Sequence, residues 1–462
     1  MKAYCGLTAL LLLCGVAAGQ PSIPEPLLYK KVPVPQALLA EKTWQDDTLR
    51  FGGDVRIGDM DGDDTVDFLV YRSVDDAHDG GGMKPCFMAA FTMDGRVLWE
   101  TGGGGDQPSR PGPVVVYDLD GDGADEVVCF FLNPDVDAHP HSLANFVLQV
   151  REGKTGDVLR EAAPEALTAR RGHGPNWVHQ RILVANFRGT DRARDFVVKL
   201  GDTFLAFTDM LDVLWTYTTP WNEYGNCPAY IPAVGDMNGD GRDEVNGGYF
   251  VLGPDGEPHW EKKLGHHMDS VAVTPWDDGH VRAICSGFGH VMDIAGNAVL
   301  RLGPETVPHG QEVRVAPFRA RSDEPLMVLR YDGHTPPLIV VDIAGDIINH
   351  FELNDSPNGT GMETVFWRSP DHGALLYHGR MLWDVVAGEG IDLPDLPEPA
   401  GPHRQGWYHC IPANVCGDAR EEAVLYNPWD DTVYIFTPKP FDAAAHDGYK
   451  AGPRQYNARI MD

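Results

Sequence analysis

Three short segments of the chain place acidic side chains at alternate positions. They read DMDGDDTVD from Asp59, DLDGDGADE from Asp118 and DMNGDGRDE from Asp236. Positions 1, 3, 5 and 9 of each segment carry a carboxylate or an amide: Asp59, Asp61, Asp63 and Asp67; Asp118, Asp120, Asp122 and Glu126; and Asp236, Asn238, Asp240 and Glu244. Because Ca²⁺ takes about six to eight oxygen ligands in a flexible geometry, this spacing predicts a calcium site in each segment.

The alternative interpretation of these segments is an acidic turn that is only solvated. Four oxygens gathered without a cation would repel one another, and this repulsion favours the metal. Related segments that begin at Asn186 and Asn414 have lost most of the ligands, so we expect no metal there. The calcium ions are predicted to be structural, and a second role in bridging a ligand is left open.

A second group of residues combines histidine, arginine, tyrosine and tryptophan in segments that lead into apolar runs. These side chains can transfer protons, hold an anion or stack on a ligand. The candidates for catalysis are His173, His179, His267, Arg110, Arg181 and Tyr230, and the candidates for ligand binding are Trp177, Tyr224, His266, His309, Arg404 and Trp407. A lone histidine is usually structural, but several segments carry histidine at similar positions. They predict a binding or active site, with structural histidines as the alternative.

Other known site motifs are absent from the sequence. We find no serine-centred elbow, zinc helix, phosphate loop or dinucleotide fingerprint. A zinc site that uses His266, His267, Cys285 or His290 is conceivable, but the spacing of these residues is a weak match to known zinc sites.

The acidic segments belong to a longer repeat of strand, acidic turn, strand and hairpin. Eight segments read as first strands of such a unit: GDVRIG, GPVVVY, HQRILVANF, PAYIPAVG, MDSVAVTPW, GQEVRVAPF, METVFWRSP and WYHCIPANV. Units of about four short strands are typical of propeller blades. The sequence therefore predicts an all-β, eight-bladed β-propeller with calcium-binding turns between the first and second strands. Seven blades remain possible if the unit at Met362 is an insertion.

The beginning of the chain has the features of a signal peptide. Lys2 is followed by the apolar run Ala9–Leu13 and by small residues up to Gly19. We expect a signal peptide at 1–19, an N-terminal extension at 20–48, the propeller at 49–440 and a C-terminal tail at 441–462. The protein is then expected to be secreted, extracellular or periplasmic, and monomeric. Among the remaining cysteines, Cys410 and Cys416 are the expected disulfide pair.

The net charge of the chain is −31. Nucleic acids and anionic membrane surfaces are bound through basic patches, so this charge argues against both as partners.

The run DMNGDGRDEVNGGYFVLGPDGEPHWEKKLGHHMDSVAV from Asp236 resembles the rhamnogalacturonan lyases of polysaccharide lyase family 11. In that family a calcium turn, a short hairpin and a Leu-Gly-His segment follow in the same order. The DAHDGG segment and the YDLDGDGADEV turn are similar too, and the resemblance covers about residues 50–300. Ulvan lyases and rhamnose–glucuronate lyases are nearly as similar. The acidic turn alone is also found in FG-GAP repeats.

The resemblance implies a lyase that cleaves an anionic plant or algal polysaccharide by β-elimination beside a uronic acid. In that reaction His179 would be the base, Tyr230 or Tyr224 the acid, and Arg110 or Arg181 the clamp on the carboxylate. The alternative is a non-catalytic, FG-GAP-like propeller that binds carbohydrate or protein. Four tryptophans are candidate sugar platforms in either case: Trp177, Trp221, Trp367 and Trp407.

Overall fold

The computed structural model shows eight four-stranded antiparallel units arranged as the blades of a propeller. It describes residues 20–73, 85–106, 112–132, 146–163, 165, 181–221, 229–265, 268–353, 361–401, 406–442, 444 and 448–452. The all-β, eight-bladed prediction is confirmed. The unit at Met362 is a complete blade, which excludes the seven-bladed alternative.

Three strands precede the first complete blade. They are β1 (Pro26–Pro33), β2 (Ala40–Trp44) and β3 (Asp47–Phe51). β2 and β3 form a separate hairpin, whereas β1 pairs antiparallel with the last strand of the chain. The segment predicted as an N-terminal extension thus supplies the outer strand of the eighth blade and closes the ring. A short 3-10 turn at Gln36–Leu38 lies between β1 and β2.

The first four blades follow in chain order. Blade 1 contains β4 (Asp54–Gly58), β5 (Asp67–Ser73), β6 (Pro85–Thr92) and β7 (Val97–Gly102), and blade 2 contains β8 (Val114–Tyr117), β9 (Glu126–Leu132), β10 (Phe146–Arg151) and β11 (Val158–Ala162). Blade 3 contains β12 (Arg181–Ala185), β13 (Asp195–Leu200), β14 (Thr203–Thr208) and β15 (Val213–Thr218). The short strand β16 (Ala229–Ile231) comes next, and blade 4 contains β17 (Ala233–Gly235), β18 (Glu244–Asn246), β19 (Phe250–Leu252) and β20 (Pro258–Glu261).

The last four blades complete the ring. Blade 5 contains β21 (Met268–Asp277), β22 (His280–Cys285), β23 (His290–Met292) and β24 (Ala298–Arg301), and blade 6 contains β25 (Val313–Ala316), β26 (Leu326–Arg330), β27 (Pro337–Val341) and β28 (Ile347–Glu352). Blade 7 contains β29 (Met362–Val365), β30 (Leu375–His378), β31 (Met381–Asp384) and β32 (Glu389–Asp392). Blade 8 contains β33 (His409–Ala413), β34 (Glu422–Tyr426), β35 (Thr432–Pro438) and β1. β16 adds to blade 5 as a parallel neighbour of β21, and a 3-10 turn covers Pro370–His372.

The apolar core lies between neighbouring blades. Along β5, Phe68 and Val70 pack toward blade 8, while Leu69 and Tyr71 pack toward blade 2. This alternation follows from the two-residue period of a strand, and it buries every residue of β5. The first strands of successive blades contact one another, so they surround the central axis. No helix in the described part of the chain is long and apolar enough to cross a membrane.

Two sequence-based expectations about side chains are wrong. Trp367 is fully buried and donates from Nε1 to the Pro24 carbonyl at 2.9 Å, so it cannot stack on a ligand. Cys410 and Cys416 do not form a disulfide. Cys410 packs in the core between blades 7 and 8, whereas Cys416 lies in a turn beside the Glu422 carboxyl group.

Candidate functional site

The strand register separates the candidate residues into two ends of the propeller. In blade 1, Gly58 pairs with Asp67 beside the acidic turn, and Asp54 pairs with Tyr71 at the opposite end. We call these the turn end and the mouth end. The mouth end is formed where first strands begin and second strands finish. The turns that join first and second strands are numbered by blade.

Turn 1 brings together three of its four predicted ligands. Carboxylate oxygens of Asp59, Asp61 and Asp67 all lie within 4.8 Å of one another. Asp59 accepts hydrogen bonds from the amides of Gly62, Asp63 and Asp64 at 2.9, 3.0 and 2.9 Å, which fixes the turn around it.

Two oxygens of turn 1 are left for a cation. Oδ1 of Asp61 and Oδ1 of Asp67 are buried, and neither has a hydrogen-bond partner among the described residues. Burial and the neighbouring Asp61 charge raise the pKa of Asp67 to about 7. The other oxygens are satisfied, since Asp61 Oδ2 accepts from Arg96 at 2.8 Å and Asp67 Oδ2 accepts from the Met60 amide at 3.0 Å. Buried oxygens that lack donors are costly unless a cation compensates them, so the two Oδ1 atoms of turn 1 fit Ca²⁺. Asp63 is exposed instead and accepts from the Thr65 amide at 3.0 Å.

Turn 2 also brings three of its predicted ligands together, but they are positions 1, 3 and 5 of the segment. Asp118, Asp120 and Asp122 bring carboxylate oxygens within 4.8 Å of one another. Glu126 accepts from the Leu119 amide at 2.7 Å. Burial raises the pKa of Glu126 to about 7. These oxygens also fit Ca²⁺.

Turn 4 has the same backbone pattern with an amide at position 3. Asp236 accepts from the amides of Gly239 and Gly241 at 2.6 and 2.8 Å. Asn238 Nδ2 donates to Glu244 at 3.2 Å and to Asp240 at 3.3 Å. Rotating this amide by half a turn would present its oxygen to a cation instead.

The mouth end carries polar residues on several second strands. Five polar residues each stand at or near the last position of a second strand: Lys199, Asn246, Arg330, His378 and Tyr426. All of them are buried. Sequence reasoning missed these residues, although a polar residue ending a run such as DFVVKL or LMVLR is a visible signal.

Blade 3 places two cations side by side at the mouth end. Arg181 pairs across the strands with Lys199, and the two residues are only 6% and 1% exposed. Lys199 Nζ donates to the Tyr230 carbonyl at 2.8 Å, which links blade 3 to β16. Of the predicted catalytic residues, Arg181 and Tyr230 are therefore brought into one neighbourhood. Two cationic side chains thus lie next to each other at the mouth end of blade 3.

Blades 6 and 7 share a second buried network at this end. Arg330 Nε donates to Glu312 at 3.2 Å, and Arg330 Nη2 lies 3.3 Å from His378 Nε2. Glu312 also accepts from the Met362 amide at 3.1 Å. Burial and the Arg330 charge lower the pKa of His378 to about 3, so this imidazole is neutral at ordinary pH.

Blades 8 and 1 meet through a third network. Asp54 accepts from the hydroxyls of Tyr71 and Tyr426, and the Tyr71 hydroxyl accepts from the Gly112 amide at 2.6 Å. Burial raises the pKa of Tyr71 above its usual value. These hydrogen bonds join blades 8, 1 and 2 at the mouth end.

Two predicted ligand-binding residues are described and lie near this end. His309 is half-buried, and its ring centroid is 6.3 Å from that of His334. Trp407 is half-buried and precedes the fully buried His409, whose ring lies 5.4 Å from that of Tyr426. The remaining candidates lie outside the described residues: Arg110, His173, Trp177, His179, Tyr224, His266, His267 and Arg404.

Comparisons with known proteins agree with this architecture. The family model "Rhamnogalacturonan lyase family 11, C-terminal domain" matches residues 29–211. Rhamnogalacturonan exolyase YesX of Bacillus subtilis (strain 168) is 27% identical over 250 residues, which is 46% of this chain and 40% of the relative. Rhamnogalacturonan endolyase YesW of the same organism is 26% identical over 260 residues, with the same coverage.

The solved structure of Bacillus licheniformis rhamnogalacturonan lyase PL11 matches with a TM-score of 0.67 and 19% identity, over 90% of this chain and 76% of that one. The chain is a propeller that is similar in sequence and fold to the rhamnogalacturonan lyases of family 11. The resemblance predicted from the sequence is thereby confirmed.

This family 11-like propeller spans about 40% of the length of the curated relatives it matches. The segment matched by the family model contains turns 1 to 3 and the Arg181–Lys199 pair. It also contains most of β1, the strand that closes the ring. The match therefore includes both kinds of candidate site, the acidic turns and part of the mouth end.

Proposed function

We propose that the protein is a polysaccharide lyase that cleaves a polymer of rhamnose and uronic acid by β-elimination at the mouth end. The lyase class is supported by the family model and by the two rhamnogalacturonan lyase relatives. The observation that carries the proposal is the buried pair of cations, Arg181 and Lys199, beside Tyr230.

β-Elimination next to a uronic acid requires three contributions from the protein. A base removes the proton on C5, a cation stabilises the carboxylate as charge develops on it, and an acid protonates the leaving oxygen. The pair Arg181–Lys199 supplies positive charge in a chain whose net charge is −31. Positive charge at this end would attract an anionic polymer to an otherwise acidic protein.

The roles of individual residues are part of the proposal. His179, two residues before β12, is assigned as the base and Tyr230 as the acid, with Arg181 holding the carboxylate. The sequence offers four further candidates: Arg110, His173, His267 and Tyr224. Trp407 and His309 are assigned to binding of neighbouring sugars.

Calcium belongs to the same proposal as a structural ion in turns 1, 2 and 4. Turn 1 would hold it through Asp59, Asp61 and Asp67, and turn 2 through Asp118, Asp120 and Asp122. Bound there, Ca²⁺ would neutralise the clustered carboxylates at the turn end, away from the proposed chemistry. We also propose that residues 1–19 direct export, so that the enzyme meets its polymer outside the cytoplasm.

Product analysis tests the reaction. The protein is incubated with rhamnogalacturonan, with ulvan and with rhamnose–glucuronate-capped arabinogalactan. Elimination consumes no water, so its products carry a C4–C5 double bond, absorb in the ultraviolet and are lighter by one water than hydrolytic products. Saturated ends that carry solvent oxygen would overturn the proposal in favour of a hydrolase. Binding without any product would support a non-catalytic propeller instead.

A further inference from the structure

Turns 1 and 2 are joined by a pair of hydrogen bonds between Asp59 and Asp125. The Asp59 amide donates to Oδ2 of Asp125 at 2.8 Å, and the Asp125 amide donates to the Asp59 carbonyl at 2.8 Å. A Cβ atom on Gly58 would lie 2.4 Å from Asp125 Oδ2, so glycine is needed for this close approach. We call this two-bond contact the staple.

The same staple recurs at two other blade interfaces. Asn186 and Asp243 exchange equivalent bonds of 2.7 and 3.1 Å between turns 3 and 4. Phe366 and Glu421 do so between blades 7 and 8, at 2.8 and 3.1 Å. In each case the carboxylate at position 8 of one turn binds the backbone that starts the preceding turn. The staple is therefore a regular way of connecting neighbouring turns in this chain.

Only the first staple connects two turns that gather carboxylates for calcium. Asp59 is itself a predicted ligand in turn 1, and Asp125 precedes Glu126, a predicted ligand in turn 2. The staple of turn 4 leads instead to turn 3, where the guanidinium of Arg188 pairs with Asp195 at 2.7 Å. Turn 3 gathers no group of three carboxylates among the described residues, so its state is not expected to depend on calcium.

We propose that turns 1 and 2 bind calcium cooperatively through the Asp59–Asp125 staple, whereas turn 4 binds it independently. Without a cation, repulsion within turn 1 displaces the Asp59 backbone and breaks the staple. Turn 2 then loses the contact that fixes the backbone at Asp125, next to the predicted ligand Glu126. Binding at either turn restores the staple, so each turn raises the affinity of the other equally. This inference rests on the calcium sites proposed above.

Calcium titration of the metal-stripped full chain tests the inference. In the Asp236→Asn/Asp240→Asn background, turns 1 and 2 remain. Further removal of turn 1 by Asp61→Asn/Asp67→Asn is expected to weaken binding at turn 2 by about fivefold or more. Removing turn 2 by Asp120→Asn/Asp122→Asn should weaken turn 1 by the same factor. Compared with the unmodified chain, the background itself should leave the affinities of turns 1 and 2 unchanged.

The staple is tested directly by a matched pair of variants in the same background. Asp125→Asn keeps an acceptor oxygen and should retain cooperativity, whereas Asp125→Ala should give two independent sites. If Asp125→Ala does not fold, cooperativity is decided by the variants that remove turn 1 or turn 2, because those variants all keep Asp125. The inference would be overturned if each turn bound calcium with the same affinity whether or not the other turn was intact. Cooperative calcium binding in Asp125→Ala would also overturn it. Absence of any calcium binding to the unmodified chain would instead overturn the calcium proposal itself.

Discussion

The guanidinium of Arg188 donates to Oδ1 of Asp195 at 2.7 Å, in the turn of blade 3 that corresponds to the acidic turns of blades 1, 2 and 4. Arg188 stands at position 3, where turn 1 has Asp61 and turn 2 has Asp120. Its Nη2 also donates to Asp209 at 2.7 Å. In blade 3 the charge of the Asp195 carboxylate is therefore compensated by an arginine side chain of the same turn. Turns 1 and 2 also have an arginine beside one carboxylate each, Arg96 at 2.8 Å from Asp61 and Arg192 at 3.5 Å from Asp118. Each of these turns gathers two further carboxylates, which calcium would compensate.

Removing calcium is therefore expected to lower the melting temperature. Calcium that binds the folded chain alone stabilises it by about 2.7 kcal/mol per site at a hundred times its dissociation constant. We expect EDTA to lower the midpoint by several degrees in thermal denaturation, and added calcium to restore it. Arg188→Ala serves as the control, because its destabilisation should be the same with and without calcium. An EDTA melt identical to the calcium melt would contradict the metal assignment.

The stability of the calcium-free protein is expected to depend on pH. Burial raises the pKa values of Asp67, Asp125 and Glu126 to about 7, above those in the unfolded chain. The folded state then binds more protons, so unfolding free energy in EDTA falls as pH rises from about 4 to about 7. Calcium needs the ionised carboxylates, so the calcium-dependent gain in melting temperature should grow over the same range.

A variant of Glu422 distinguishes the pH dependence that comes from a buried carboxyl group from the pH dependence that comes from calcium binding. Burial raises its pKa to about 7 as well, but it accepts from Thr437 and from the Val415 amide, and its turn has Cys416 at position 3. Glu422→Gln should reduce the fall in stability with pH in EDTA while leaving the calcium-dependent gain unchanged. A gain that shrinks in Glu422→Gln would mean that blade 8 takes part in calcium binding.

Lys199 tests the positive potential proposed for the mouth end. Lys199→Met keeps an apolar stem and removes the charge, and we expect kcat/KM on rhamnogalacturonan to fall about tenfold or more, or about 1.4 kcal/mol. Lys199→Arg should retain most of the activity. Lys154→Met, at an exposed hairpin of blade 2, is the matched control. If all three variants were as active as the unmodified protein, the cation pair would have no part in substrate binding.

The fold could be predicted from the sequence because its signals are local. Each first strand is an apolar run with a turn after it, as in GPVVVY before Asp118, and that order repeats eight times. β1 could not be assigned in this way, because its partner β35 lies at the other end of the chain. The same reason hides the staple, since Asp125 is visible in the sequence but its contact with Asp59 is not. The burial of Trp367 could not be predicted, because it depends on contacts with neighbouring blades that the composition does not reveal.

The histidines assigned to chemistry give the last prediction. His179→Ala is expected to lower kcat by about 10²–10⁴, the usual contribution of a general base, with little change in melting temperature. Because imidazole must be neutral to accept the C5 proton, activity of the unmodified protein should rise with pH through the pKa of the base. His179→Ala should lose this dependence. His280→Ala is the matched control, since His280 is exposed at the turn end of blade 5.

The variant His267→Ala tests whether His267, and not His179, is the base. If His267 is the base instead, its variant loses the pH dependence and His179→Ala keeps it. Ultraviolet absorbance of the unsaturated product measures both rates on the same rhamnogalacturonan. Full activity in both variants would remove His179 and His267 as the base and leave His173 and Tyr230 as the remaining candidates. Unfolding of either variant, in contrast, would identify that histidine as a structural residue, because a base at the mouth end contributes to the transition state and not to the stability of the ring.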